Sequence, residues 1–427
     1  MNLGLVVLIG LSFLLLVAYV PLAFTLGIAT LGYMLVQKAP LTIIPQQLYK
    51  GADNFVLMAL PLFILAGNLM NTGGITRRII RLAQALVGHI RGGLALVNVI
   101  ASMFFAGVSG SAVADTASLG AVLIPSMIEE GYDADFSAAV TACSSTIGII
   151  IPPSIPMVLH GFVSDVSIGE LFLAGIIPGI LVGGAQMVIA YIISSKRNYP
   201  KTSESFSWRV LIDALKDAWM ALLLPLIILG FITFGVTTPT EAGAIAVVYA
   251  LVVGLFCYKE LELSDLYEIL KESSRTTALI MIIICFSMML GWALSQQRVP
   301  QAITRVVLGM TQEPRTALLL SSALLIVAGC FLHGTALQLI IVPMLLPMVQ
   351  SLGIDSLLFG MVVVLCVGIG QQTPPVGSAL FVTSTLAEKD ILEVTRENLP
   401  FMMSLVLVLL LVIFFPPICT TIPRFIK

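Results

Sequence analysis

Two glycine- and hydroxyl-rich breaks inside apolar runs, Gly107-Val-Ser-Gly-Ser111 and Gly329-Cys-Phe-Leu-His-Gly-Thr335, carry side chains able to do chemistry. Two more breaks follow in mid-run, Gly148-Ile-Ile-Ile-Pro152-Pro153-Ser154-Ile-Pro156 and Gly370-Gln-Gln-Thr-Pro374-Pro375-Val-Gly377. Hydroxyls and unwound carbonyls at such places can ligate a hard cation such as Na⁺, and the helix N-termini beside them attract anions. The candidate ion-binding set is Ser109, Gly110, Ser111, Ser144, Ser145 and Gly148 from the first pair, with Gly329, Thr335, Gly370 and Thr373 from the second. The candidate substrate-binding set is Asp115, Pro152, Pro153, Ser154, His333, Gln372, Pro374 and Pro375. Plainer roles stand beside these: a solvated turn at Ser109 to Ser111, a helix cap at Asp115 or Glu241, a polar lining residue at His333, and packing at His160. No catalytic residue is expected, and sodium is the only metal.

The surrounding elements must hold these breaks in a membrane. The 427 residues are 58% hydrophobic and only 10% charged, against about 25% charged in a soluble chain. Lys plus Arg number 21 and Asp plus Glu 23, leaving a net charge of -2 and no basic face for nucleic acid. The six cysteines lie singly in apolar runs, with no Cys-x-x-Cys pair for zinc or redox chemistry. No Gly-Lys pair occurs, so no P-loop can cradle ATP, and any pumping must draw on an ion gradient or another subunit. The first apolar run starts at Leu3 without a preceding Lys or Arg and reads as a retained span rather than a signal peptide.

A hydrocarbon layer about 30 Å thick takes roughly 20 apolar helical residues. In the first half this predicts scaffold spans within 3–71 (near 3–20, 22–37 and 55–71, with the weakest boundary between Tyr19 and Leu22), an amphipathic arm at 75–88, a hairpin at 92–130, a proline-broken helix at 133–163 and a span at 171–195. A polar cytoplasmic linker at 196–217 leads to a second set: scaffold spans within 218–295, an arm at 298–310, a hairpin at 315–352, a broken helix at 355–386 and a span at 400–418. Adjacent prolines remove donors and clash with the preceding turn, so neither Pro-Pro site continues a helix. Unpaired backbone at these breaks cannot face lipid and must be buried or line a wet cavity.

Residues 106 to 178 match the second half at an offset of 222 without a gap: Pro125, Pro152, Pro153 and Pro178 fall on Pro347, Pro374, Pro375 and Pro400, and Gly107, Gly131, Gly148 and Asp133 on Gly329, Gly353, Gly370 and Asp355. Chance gives roughly 0.2 proline matches in such a window, so the halves, 1–195 and 218–427, read as an internal repeat. Five crossings per half would invert the second copy. One face then collects 14 of the 21 Lys and Arg, from segments 72 to 91, 196 to 217, 259 to 275 and 387 to 399. The positive-inside rule makes it cytoplasmic, with Asp165 to Glu170 and Lys427 on the opposite side.

The motifs Phe104-Phe-Ala-Gly-Val-Ser-Gly-Ser-Ala-Val-Ala-Asp115, Ile124-Pro-Ser-Met127 with Gly131-Tyr132, Ile150-Ile-Pro-Pro-Ser-Ile-Pro156, Thr238-Pro-Thr-Glu-Ala-Gly-Ala244 and Thr373-Pro-Pro-Val-Gly377 occur in order. Together they make the chain resemble the large, DctM-type membrane subunit of tripartite ATP-independent periplasmic (TRAP) transporters over nearly its whole length. The resemblance implies an all-α polytopic membrane protein of the bacterial inner membrane. Its architecture would be an inverted repeat with two re-entrant hairpins and two broken helices, working as an elevator-type secondary transporter. It implies sodium-driven uptake of a small organic anion, with no cofactor besides the coupling Na⁺. The partners implied are a small four-span membrane subunit, a periplasmic substrate-binding protein and the lipid around the chain, and no nucleic acid. The second repeat departs from the family pattern: His333-Gly334-Thr335 stands where an Asp-x-Thr-like tip is usual, Cys366 where Asn is frequent, and Gln371-Gln372 where aliphatics are common. Other readings are a channel-like or scaffold subunit, and an intramembrane serine protease using Gly107-Val-Ser109-Gly110 with His160 as base.

Overall fold

The computed structural model describes residues 3–18, 20–202 and 205–426, all of whose regular elements are helical. Tyr19, at the first span boundary, part of the linker (203–204) and Lys427 lie outside the described residues. Among the described residues eight helices are long and apolar enough to cross a membrane, the longest being Asp265–Gln296 and Ile168–Lys196.

Each expected hairpin is a pair of helices with a short break. The first is Gly93–Ser109 and Ala112–Glu129, and the second Pro314–Gly329 and Gly334–Ser351. The first broken helix runs Ala134–Ser145, tightens over Thr146–Ile149, and resumes at Ile155–Ser164; the second is Ser356–Gly370 and Ser378–Leu386. Both Pro-Pro bonds, at Pro152-Pro153 and Pro374-Pro375, are cis. The halves interlock crosswise. Helix Ala112–Glu129 of the first hairpin packs on Ser378–Leu386 of the second broken helix, and Gly334–Ser351 of the second hairpin packs on Ile155–Ser164 of the first. Around them stand Ala59–Thr72, Pro239–Val252 and Asp265–Gln296, with Ala59–Thr72 wedged against the latter two.

Four elements differ from the sequence expectation because an apolar-run criterion misses amphipathic turns. The linker expected over 196–217 ends early, since a helix starts at Trp208 and continues to Thr233. Its first turns bury Ala214 and Ala218 against Leu82 of the arm Ile75–Val87, and Asp217 pairs with Arg78 at 3.1 Å and Arg81 at 3.3 Å. The span expected at 400–418 starts at Ile391, because Val394 and Asn398 are buried against neighbouring helices. Short helices at Ile43–Ala52 and Pro417–Ile426 were not expected from hydropathy.

The corner between each hairpin and its broken helix is pinned by an arginine. Arg197 Nη1 lies 3.0 Å from Asp133 Oδ2, and Arg424 Nη2 lies 3.2 Å from Asp355 Oδ2, with the two aspartates 222 residues apart. The first pin is the larger. Arg197 Nη2 also reaches Glu397 of the second half at 2.9 and 2.8 Å, and the Tyr199 hydroxyl donates to Asp133 Oδ2 at 2.5 Å.

Candidate functional site

The first tip forms because Gly110 ends one helix in the left-handed region, at φ 63°, and Ser111 caps the next in extended conformation. The Ser111 hydroxyl accepts from Ala114 N at 3.4 Å. The Gly110 carbonyl accepts from Ile155 N at 3.1 Å, stitching the tip to the chain just beyond Pro152-Pro153. A Cβ at Gly110 would lie 2.7 Å from the Pro153 carbonyl oxygen, so φ and close approach both require glycine there. The second tip is held similarly, with Val376 N donating to Cys330 O at 3.1 Å.

One turn into the second helix of the first hairpin, Asp115 is fully buried. The Ser109 hydroxyl donates to its Oδ1, while Oδ2 has no hydrogen-bond partner among the described residues. Oδ2 lies against Gly148, where an added methyl would overlap it. Beside this patch the Thr116 and Ser145 hydroxyls are 2.7 Å apart, with Ser145 also 2.5 Å from Thr141 O and Thr116 2.6 Å from Ala112 O. Asp115, expected among the substrate residues, therefore sits with Ser109 and Gly148 of the ion set. Ser144 faces elsewhere: it accepts from Ser102 and donates to Asn98, each at 3.0 Å.

The second repeat offers no equivalent carboxylate. At the offset of 222, Ser109, Asp115 and Ser145 correspond to Phe331, Leu337 and Val367. Gly329 and Gly370 do meet, since a Cβ on Gly370 would lie 2.9 Å from Gly329 Cα. The Thr373 hydroxyl is bound to Ile369 O at 2.8 Å. A cation here would rest on carbonyls and neutral side chains.

Both tips open on one cavity of 560 Å³, lined by Ser109, Gly110 and Ser111 from the first and His333 and Thr335 from the second. His333 is exposed and caps its helix, its Nδ1 accepting from Thr335 N at 3.4 Å. The other expected substrate residues do not line this cavity. Pro152 and Pro153 are buried, Pro374 is half-buried and Pro375 exposed. The Ser154 hydroxyl donates to Ile149 O at 2.6 Å. Gln372 is buried as a bridge, donating to Thr146 Oγ1 at 3.0 Å and accepting from Asn398 at 2.9 Å.

Gln371 lines the cavity instead, as do Asn68, Asn71 and Glu272 from the surrounding helices. Sequence reading missed these last three, although Asn68 and Asn71 share one face of an otherwise apolar span at a spacing of three, and Glu272 falls one turn before Thr276. His160 packs edge-on against Phe359, with no hydrogen-bond partner for either ring nitrogen among the described residues. Ser109 is bound to Asp115 and has no histidine base. The serine-protease reading thus lacks its nucleophile and base pair.

The DctM component of the tripartite ATP-independent periplasmic transporters matches residues 9–418. The chain belongs to that family. This DctM-family chain is 42% identical over 411 residues to the sialic acid TRAP transporter large permease protein SiaM of Vibrio cholerae, covering 96% of each. It is 39% identical to the C4-dicarboxylate TRAP transporter large permease protein DctM of Pseudomonas aeruginosa, covering 88% of each. It is also 38% identical to the isethionate TRAP transporter permease protein DctMQ of Oleidesulfovibrio alaskensis, over 96% of this chain and 65% of that one. Among solved structures, the Alcanivorax borkumensis YdaH transporter shares the fold at a TM-score of 0.63 and 15% identity, over 96% of this chain and 98% of that one. The DctM-family chain is therefore an all-α, multi-pass protein of the bacterial inner membrane, a permease component of a tripartite transporter and not an enzyme.

Proposed function

We propose that this permease is a sodium-driven importer of a small organic anion, working by an elevator movement of the two hairpins and broken helices against the surrounding helices. The anion is delivered by a periplasmic binding protein, and a small four-span membrane subunit completes the complex. The observation that carries the sodium reading is the buried Asp115 carboxylate, with Oδ2 unpartnered and Ser109 and Gly148 against it. A buried carboxylate without a compensating charge is costly, and a bound cation removes that cost. Ser109 and Asp115 supply the oxygens on this reading, with Thr116 and Ser145 beside them; carbonyls near Gly329 and Gly370 would serve a second ion.

The anion reading rests on the shared cavity. Helices begin at or beside its wall at Ala112, Ile155 and Gly334, and the positive end of the helix dipole favours a carboxylate or sulfonate there. A sialate, a C4-dicarboxylate and isethionate, named for the relatives, are all small organic anions, and the elevator keeps both tips on one moving body.

The test is thermal unfolding of the purified chain in NaCl against KCl. A ligand bound only by the folded state stabilises it by about 2.7 kcal/mol at a hundred times its Kd. The midpoint should rise with Na⁺ but not K⁺ in the wild type, and Asp115→Asn should remove the difference. Equal stabilisation of wild type and variant by Na⁺ would move the ion away from Asp115.

A further inference from the structure

A second cavity of 750 Å³ lies next to the one beneath the tips, since Asn71, Ala117 and Ser118 line both. Its wall carries Arg77, from the arm Ile75–Val87, and Lys259, which ends the π-helix Val253–Tyr258 with its backbone held left-handed at φ 57°. Neither cation forms an ion pair among the described residues, whereas the adjacent Arg78 pairs with Asp217 and with Glu260 at 2.7 Å. Glu260 and Glu262 also line this wall. Glu260 pairs with Arg78, and Glu262 accepts from the Ser264 hydroxyl at 3.2 Å. Arg78 is shared between Glu260 and Asp217, so the charges on this wall without an ion pair among the described residues are the cations Arg77 and Lys259 and the carboxylate of Glu262. By contrast, among the described residues Glu272 is the one Asp, Glu, Lys or Arg lining the cavity beneath the tips.

We infer that the second cavity is the cytoplasmic exit of the transport path, and that Arg77 and Lys259 form a cationic rim that draws the departing organic anion out past Asn71 and Ser118. This rests on the proposed import of an anion. Independently of it, Arg77 lies in the segment 72 to 91 and Lys259 in the segment 259 to 275, both on the Lys- and Arg-rich face. A rim with free cations lowers the energy of an anion at the mouth without binding it tightly, because both side chains are exposed and screened.

Cysteine labelling reads this directly. In the full chain with Cys257→Ser, a Ser118→Cys thiol is reacted with membrane-impermeant methanethiosulfonates, anionic sulfonatoethyl or cationic trimethylammonioethyl, in inside-out and right-side-out vesicles. Reaction is expected from the cytoplasmic face. Adding Arg77→Gln with Lys259→Gln should lower the ratio of anionic to cationic rates by about five- to tenfold at low salt. Arg77→Lys with Lys259→Arg should keep the ratio, which separates charge from misfolding. A ratio unmoved by the neutral pair, or no reaction from the cytoplasmic face, would overturn the inference. Labelling needs neither substrate nor sodium, so a failed sodium test would leave this result standing, and the reverse holds as well.

Discussion

At the scale of single residues, the chemistry concentrates on Asp115. Its carboxylate is fully buried and, among the described residues, answered on one oxygen only, so on the proposed sodium coupling it carries the largest share of ion affinity. Asp115→Asn keeps the volume and removes the charge. A lost bond to a charged partner is worth roughly 1.5 to 3 kcal/mol, or about 10- to 150-fold in affinity, so the Na⁺ concentration for half-maximal uptake should rise by that factor at saturating substrate. Ser145→Ala should raise it less, because Thr116 lies 2.7 Å away and offers a replacement hydroxyl. A sodium titration of uptake separates these outcomes; a larger effect of Ser145→Ala than of Asp115→Asn would reverse the assignment. The sequence exposed the hydroxyls and glycines of this patch because they interrupt apolar runs. It left Asp115 open between cap and ligand, because only the packing of the hairpin on the first broken helix brings Gly148 to its Oδ2.

At the scale of elements, the helices must keep both tips in register, and the Arg197 pin is the clearest device for it. Arg197 ties Asp133, at the start of the first broken helix, to Glu397 in the last long helix of the second half. The pairs are partly exposed, so the contribution is modest. Arg197→Ala should cost about 1 kcal/mol after allowing for screening, and Arg197→Lys should recover only part, lacking the bidentate fork. Beside it, burial, reinforced by the Asp133 carboxylate, pushes the Tyr199 hydroxyl up to about 12. A raised folded value favours the neutral phenol, so this stability is full below the ordinary value near 10 and is lost as pH rises toward 12. Thermal midpoints from pH 9 to 12 should show that alkaline fall, and Tyr199→Phe should lessen it; an unchanged profile would mean the phenol does not report on the corner. The hairpins, the broken helices and the arm at Ile75–Val87 were legible as apolar runs interrupted by prolines, glycines or arginines. The amphipathic turns at 208–217 and 391–399 were not, since their polar residues are satisfied only by partners distant in sequence, such as Arg78 for Asp217 and Gln372 for Asn398.

At the scale of the whole molecule, charge orients the chain and its partners complete it. The Lys- and Arg-rich segments should face the cytoplasm and Ser167 the periplasm, so a Ser167→Cys thiol should react with an impermeant reagent from outside intact cells; labelling only from the cytoplasmic face would invert the account. What drives the transport cycle is tested most directly by uptake into proteoliposomes holding this chain, its small membrane subunit and the binding protein loaded with its own ligand. Under an inward Na⁺ gradient with no proton gradient, accumulation should be saturable and should collapse when Na⁺ is replaced by K⁺. Uptake that persists without Na⁺ and follows an imposed proton gradient would contradict the central claim.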